Sequence, residues 1–163
     1  MIKVLISVIL VLLSVPPRRA QTSVFTFKIH FHVIASGHEQ KDGYVTDYQI
    51  KRQIEVLNKG FSGKMGGVNT LIGFELGSID RTYNFKWATL EPYSLEELNM
   101  KAKLRVGRSS SILNVYTTRP KYAFPVAGWS TFPWDYGDSN VMDGVVIDYR
   151  TMPGNPNSVP CYG

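Results

Sequence analysis

Cysteine is almost missing from this chain of 163 residues: Cys161 is the only one. A disulfide-stapled scaffold is therefore excluded, and the lone thiol either pairs outside this sequence or stays free. Histidine is scarce too, with His30, His32 and His38 and none beyond. No stretch of five consecutive Lys or Arg occurs, so the net charge of +5 is spread thinly. Such a balance affects solubility and weak attraction to acidic surfaces, and argues against nucleic-acid binding. Low-complexity tracts and internal repeats are absent as well, which leaves an ordinary globular composition rich in aromatics.

The longest apolar run, Val4 to Val15, is interrupted only by Ser7 and Ser14. Twelve residues are too few for a spanning helix, which needs about 20. Lys3 precedes the run, Pro16 and Pro17 end it, and small Ala20 comes before Gln21. That is the layout of a secretory signal peptide, so residues 1–20 are expected to leave and the product to be secreted. Arg18, three residues before the cut, is unfavourable for signal peptidase and leaves the exact site open within a few residues. Residues 21–163 suffice for one domain with a real core.

Val24 to Ala35 alternates as a strand, with Phe25, Phe27, Ile29, Phe31 and Val33 on one face and Thr26, Lys28, His30, His32 and Ile34 on the other. Thr46 with Gln49 forms a capping-box pattern ahead of a helical stripe of Ile50, Ile54, Leu57 and Phe61. Gly63, Gly66 and Gly67 close that helix. Thr70 to Ile79 and Tyr83 to Trp87 read as one or two strands broken at Asp80-Arg81. Ser94 with Glu97 repeats the capping box, opening a helix whose apolar side is expected to be Leu95, Leu98 and Ala102 with Met100 or Leu104. Ser110 to Thr117, Val126 to Phe132 and Gly144 to Tyr149 supply three more strands. The order predicts a mixed α/β (α+β) layer fold: a twisted sheet of about five strands with two helices.

Several groups invite a chemical reading. His30 and His32 lie two apart on a strand and share a face, but two imidazoles fall short of a usual ligand set. Asp135, Asp138 and Asp143 surround a glycine-containing loop without the spacing of a calcium motif, and a solvated loop is the plainer account. Ser109, Ser110 and Ser111 have no histidine or lysine arranged to activate them. Trp87, Trp129 and Trp134 are expected to pack in the core and at its rim. Asn155 and Asn157 fail as glycosylation sequons because of Pro156 and Val159.

A set of short segments, taken in order, is more specific. His30-Phe31-His32-Val33-Ile34 is followed by Gly43-Tyr44-Val45-Thr46-Asp47 and by Gln53-Ile54-Glu55-Val56-Leu57-Asn58. Asp80-Arg81-Thr82 comes next, with Asn84 and Trp87, then Met100-Lys101 and Leu104-Arg105-Val106-Gly107. Leu113-Asn114-Val115-Tyr116, Gly128-Trp129 through Phe132-Pro133, and Asp143-Gly144-Val145-Val146 complete it. This succession resembles the secreted zinc metallopeptidases of the pappalysin-like family, a metzincin group, over about residues 28–163. The resemblance implies a metzincin-like upper subdomain and, in a complete enzyme, endopeptidase action on peptide or protein substrates through zinc.

In that family a Gly-Arg/Lys-Thr segment opens the helix bearing His-Glu-x-x-His, and Gly163 resembles its first residue. The resemblance thus implies that residues 21–163 are the front part of a catalytic domain. The chain departs from the pattern in having no pro-segment and no Glu-x-x-His anywhere. The zinc site needs two histidines one helical turn apart, a third downstream and a glutamate base between the first two. No catalytic or metal-binding residues are therefore assigned, no cofactor is expected for this chain alone, and the sequence as given is not expected to hydrolyse peptides. The resemblance also implies that Gly128, Trp129, Ser130 and Thr131 form an edge strand to which substrate adds. The alternative is a secreted, non-enzymatic module that keeps this edge for binding peptides or proteins. Membrane attachment is not expected, and the oligomeric state is open.

Overall fold

A computed structural model describes residues 25–107, 112–121, 126–132, 134 and 140–155. The signal peptide expected over residues 1–20, the expected start of the domain at 21, Ser109 to Ser111, Asp135, Asp138, Asn157 and Cys161 lie outside the described residues. Five strands form one sheet: β1 (Phe25–Ala35), β2 (Ile72–Tyr83), β3 (Ile112–Thr118), β4 (Gly128–Ser130) and β5 (Val145–Asp148). Their spatial order is β2-β1-β3-β5-β4. The first four in that order run parallel, and β4 alone is antiparallel, paired to β5 at one margin. This is the mixed α/β sheet that the element order predicts.

Side chains alternate across a strand, so the sheet sorts its own core into two layers. Ile29, Phe31 and Val33 of β1 and Val115 of β3 pack on one face with Ile50 and Ile54 of helix α1 (Asp47–Phe61). Ile34, Tyr116 and Val146 pack on the other with Ala88 of the short helix α2 (Phe85–Ala88) and Met100 of α3 (Leu95–Leu104). Helix α1 starts where the capping box places it: Gln49 N–H donates to Thr46 Oγ1, and the Gln49 side chain returns to Thr46 N–H. Its stripe loosens toward the end, where Phe61 is partly exposed and packs edge-on against Phe74. No helix among the described residues is long and apolar enough to cross a membrane.

Three local expectations are corrected. Strand β2 runs unbroken through Asp80 and Arg81, because each charge finds a partner: Asp80 meets His32, and Arg81 meets Asp47 and the Val45 carbonyl. Tyr83 to Trp87 is not a further strand. The Asn84 side chain accepts from Lys86 N–H and Trp87 N–H and starts α2 instead.

Helix α3 buries a different face from the one expected. Leu95, Leu98 and Ala102 are exposed, whereas Glu97, Met100 and Lys101 are fully buried and Leu104 is half-buried. Ser94 caps the helix through Glu97 N–H, but the Glu97 carboxylate does not return to Ser94; it accepts from Tyr93 N–H at 2.6 Å. The buried charges are what turned the helix.

Candidate functional site: the free edge at β4

Strand β4 is short, only Gly128 to Ser130, and among the described residues it is the outermost strand on its side of the sheet. Its register against β5 is regular: Gly128 faces Ile147, Trp129 faces Val146 and Ser130 faces Val145. One position before it, Asp148 N–H donates to Ala127 O at 2.8 Å. Hydrogen-bonded and non-hydrogen-bonded pairs alternate along an antiparallel ladder. Ala127 and Trp129 therefore turn their backbone groups toward β5. Gly128 and Ser130 turn theirs to the open side.

Gly128 is required by proximity. A Cβ there would stand 2.4 Å from Val146 O and 3.2 Å from Ile147 Cα, so any side chain would lift β4 off its neighbour. Trp129 shares a face with its cross-strand partner Val146, and its ring packs half-buried on the α3 side. Ser130 is exposed, and Thr131, just past the strand, is half-buried with its hydroxyl 3.5 Å from Met142 O. The four nominated residues thus divide by role. Gly128 and Ser130 present backbone at the edge, while Trp129 and Thr131 anchor the strand behind it.

The anchor is a buried ionic group that the sequence reading missed. Trp129 Nε1 donates to both Glu97 oxygens, at 3.0 and 3.1 Å. Lys101 Nζ lies 2.8 Å from Glu97 Oε1 and donates to Met142 O at 2.7 Å and to Gly144 O at 3.3 Å. Helix, edge strand and the turn into β5 are joined at one point. Burial lowers the Lys101 proton affinity, and the Glu97 carboxylate opposes that shift. The only sequence signal was the four-residue spacing of Glu97 and Lys101, which ordinarily marks a solvated helix face.

The histidines are placed otherwise. His32 is fully buried, with Nδ1 2.6 Å from Asp80 Oδ2 and Nε2 3.0 Å from Asn114 Oδ1. The Asn114 amide is itself fixed by Val106, accepting from its N–H and donating to its O. Both His32 nitrogens are engaged, so neither directs a lone pair at a metal. His30 shares that face and bonds Ser78 Oγ through Nδ1 at 2.6 Å, and a Cβ added at Gly77 would stand 2.6 Å from its Nε2. Burial and the neighbouring His32 lower the His30 proton affinity. This pair does not fit a zinc ion. Among the described residues no group of three or more His, Cys, Asp or Glu is arranged to hold a metal. Asp143 is described, but Asp135 and Asp138, the other members of the acidic loop, are not.

No protein-family model matches the chain. It is 35% identical over 131 residues to an extracellular metalloprotease of Arthroderma benhamiae, spanning 79% of this chain and 40% of that protein. An extracellular metalloprotease of Verticillium alfalfae is 33% identical over 130 residues, covering 77% of this chain and 42% of the relative. The chain is a distant homologue of these fungal secreted metalloproteases, and spans about two fifths of their length. Among solved structures, mirolysin in complex with compound 9 superposes with a TM-score of 0.65 at 23% identity, over 86% of this chain and 58% of mirolysin. Mature Tannerella forsythia mirolysin in complex with a cleaved peptide gives 0.60 at 21%, over 86% and 58%. The fold is shared with mirolysin.

Proposed function

We propose that this chain carries the peptide-binding edge of a secreted zinc metalloendopeptidase domain of the pappalysin-like group. The observation that carries the reading is the outer side of β4, where the Gly128 and Ser130 backbone N–H and C=O groups have no partner among the described residues and face outward in an order that a strand can complete. A peptide lying antiparallel to β4 becomes the sixth strand of the sheet, held by main-chain hydrogen bonds that do not depend on its sequence. The relationship to extracellular metalloproteases and the peptide bound in a mirolysin structure support this use of the edge.

Zinc is the cofactor that the relationship implies, and it would supply an activated water for attack on the peptide carbonyl. This sequence holds no Glu-x-x-His, and His30 and His32 do not fit the ion, so no hydrolytic step is assigned to the residues present. Their part is to bind and align. If the edge is never joined to a zinc helix, it serves as a non-enzymatic peptide-binding module.

Two measurements test the reading. Titrating the 15N-labelled chain with an unstructured peptide should shift the amide resonances of Gly128 and Ser130 much further than those of Ala127 and Trp129. Uniform shifts, or none, would remove β4 as the binding edge. Reading the transcript across the codon for Gly163 tests the enzymatic part. Continuation into His-Glu-x-x-His sustains the peptidase, and a stop codon there leaves only the binding module.

A further inference from the structure

We infer that Phe132 and Trp134 form an apolar shelf at the end of the β4 edge that selects a large apolar side chain in the bound peptide. This rests on the strand-addition reading above and adds a specificity to it.

Phe132 is 59% exposed and Trp134 78% exposed, yet their rings lie parallel within 7°, with centroids 4.8 Å apart. Both side chains stay more exposed than buried despite the stack, which places two adjoining aromatic rings at the surface. The pair's place along the chain gives it an occupant. Ser130 is the last edge residue whose backbone faces outward, and Phe132 follows two residues later, about 7 Å further if extended. A peptide paired across from Ser130 and continuing in an extended form therefore reaches Phe132 within about two residues.

Direction follows from the pairing. The peptide runs antiparallel to β4, so the part beyond the C-terminal end of β4 is the peptide's N-terminal side. The selected residue lies about two positions N-terminal to the one that pairs with Ser130. At the edge itself Gly128 has no side chain and Ser130 a small one, and neither sorts peptide side chains by bulk. Edge hydrogen bonding supplies affinity without sequence preference, and the aromatic pair supplies the preference.

The test uses the whole chain and an N-acetylated, C-amidated eight-residue host peptide in which Phe replaces Ala at each position in turn. One position should bind about fivefold more tightly as Phe than as Ala, the size expected of a new aromatic contact. Trp134→Ala, a substitution at an exposed side chain, should abolish that preference, with the all-Ala host still bound through the Gly128 and Ser130 backbone. A preference that survives Trp134→Ala overturns the shelf. Binding of every peptide with no position favouring Phe also overturns it, and leaves the β4 edge standing. Failure of the wild-type chain to bind any peptide removes the edge reading and the shelf together. Gel filtration of both proteins completes the set: a wild-type dimer dissociated by Trp134→Ala would make a second copy the occupant and refute the proposal.

Discussion

The indole nitrogen of Trp129 on β4 lies 3.0 Å from the carboxylate of Glu97 on α3, beneath the open edge of the sheet. Glu97 also meets Lys101 and Tyr93 N–H, so one buried carboxylate receives three donors. Taking two charges out of water costs several kcal/mol each and is offset only when every group is paired. Glu97→Ala strands Lys101 without its counter-charge and should cost about 3–5 kcal/mol. Trp129→Phe removes one donor and should cost about 1–2 kcal/mol. Replacing both charges together, Glu97→Gln with Lys101→Met, should cost clearly less than Glu97→Ala alone. Urea denaturation of the four proteins checks this. Equal losses in Glu97→Ala and Trp129→Phe would mean that the ion pair is not the anchor.

The close approach of β4 to β5 gives a second expectation. A methyl group at position 128 meets the backbone of Val146 and Ile147, which cannot rotate away as a flexible side chain could. Gly128→Ala should therefore cost about 1–3 kcal/mol, as overpacking does. Amide exchange should report where. The Asp148 amide, which donates to Ala127 O, should lose protection, while amides in β1 keep theirs. Ser130→Ala, on the same strand but exposed, is the control and should change neither quantity. Undisturbed protection at Asp148 in Gly128→Ala would show that β4 yields without leaving its neighbour.

What the sequence discloses, and what it hides, follows from where each signal comes from. The alternation of β1 and the Thr46–Gln49 cap are local patterns, and the structure places both as read. The mixed α/β layer fold with about five strands follows from alternating strands and helices, whereas the order of the strands is set by pairings distant in sequence. Helix α3 misled because its buried face depends on groups distant in sequence. Glu97 and Lys101 read as solvated until Trp129, Met142 and Gly144 are brought to them by the fold. Asn84 misled in a similar way: a side chain that accepts two backbone N–H groups overrode an aromatic run with strand character. At the edge, Gly128 to Thr131 could be nominated from the resemblance. The division between outward backbone and inward anchors needed the register. Trp134 was expected at the core or rim, and its exposed stack on Phe132 appears only in three dimensions.

Tyr116 offers a prediction with a definite sign in pH. Its ring is fully buried, stacked on His32 at 4.7 Å, and Lys101 Nζ stands 5.7 Å from its centroid. Its hydroxyl has no hydrogen-bond partner among the described residues. Burial favours the neutral phenol and raises its pKa above the ordinary value; Arg105 opposes the shift, while Asp143, Asp80 and Glu97 add to it. In the unfolded chain the phenol ionises near pH 10. Above that pH the unfolded state has lost a proton that the folded state keeps, so stability falls as pH rises, by up to about 1.4 kcal/mol per unit. Lys101 acts in the opposite sense, because burial lowers its pKa and its contribution grows with pH toward the unfolded value. Comparing the wild type with Tyr116→Phe cancels that term, since both proteins keep Lys101. Tyr116→Phe should be more stable by about 1 kcal/mol at pH 7, through loss of an unpaired buried hydroxyl. Its advantage should widen between pH 10 and pH 11 by up to about 1.4 kcal/mol. Urea midpoints at pH 7, 10 and 11 read both effects. A less stable Tyr116→Phe at pH 7 would mean that the hydroxyl has a partner, and a constant advantage would mean that the phenol ionises alike in both states.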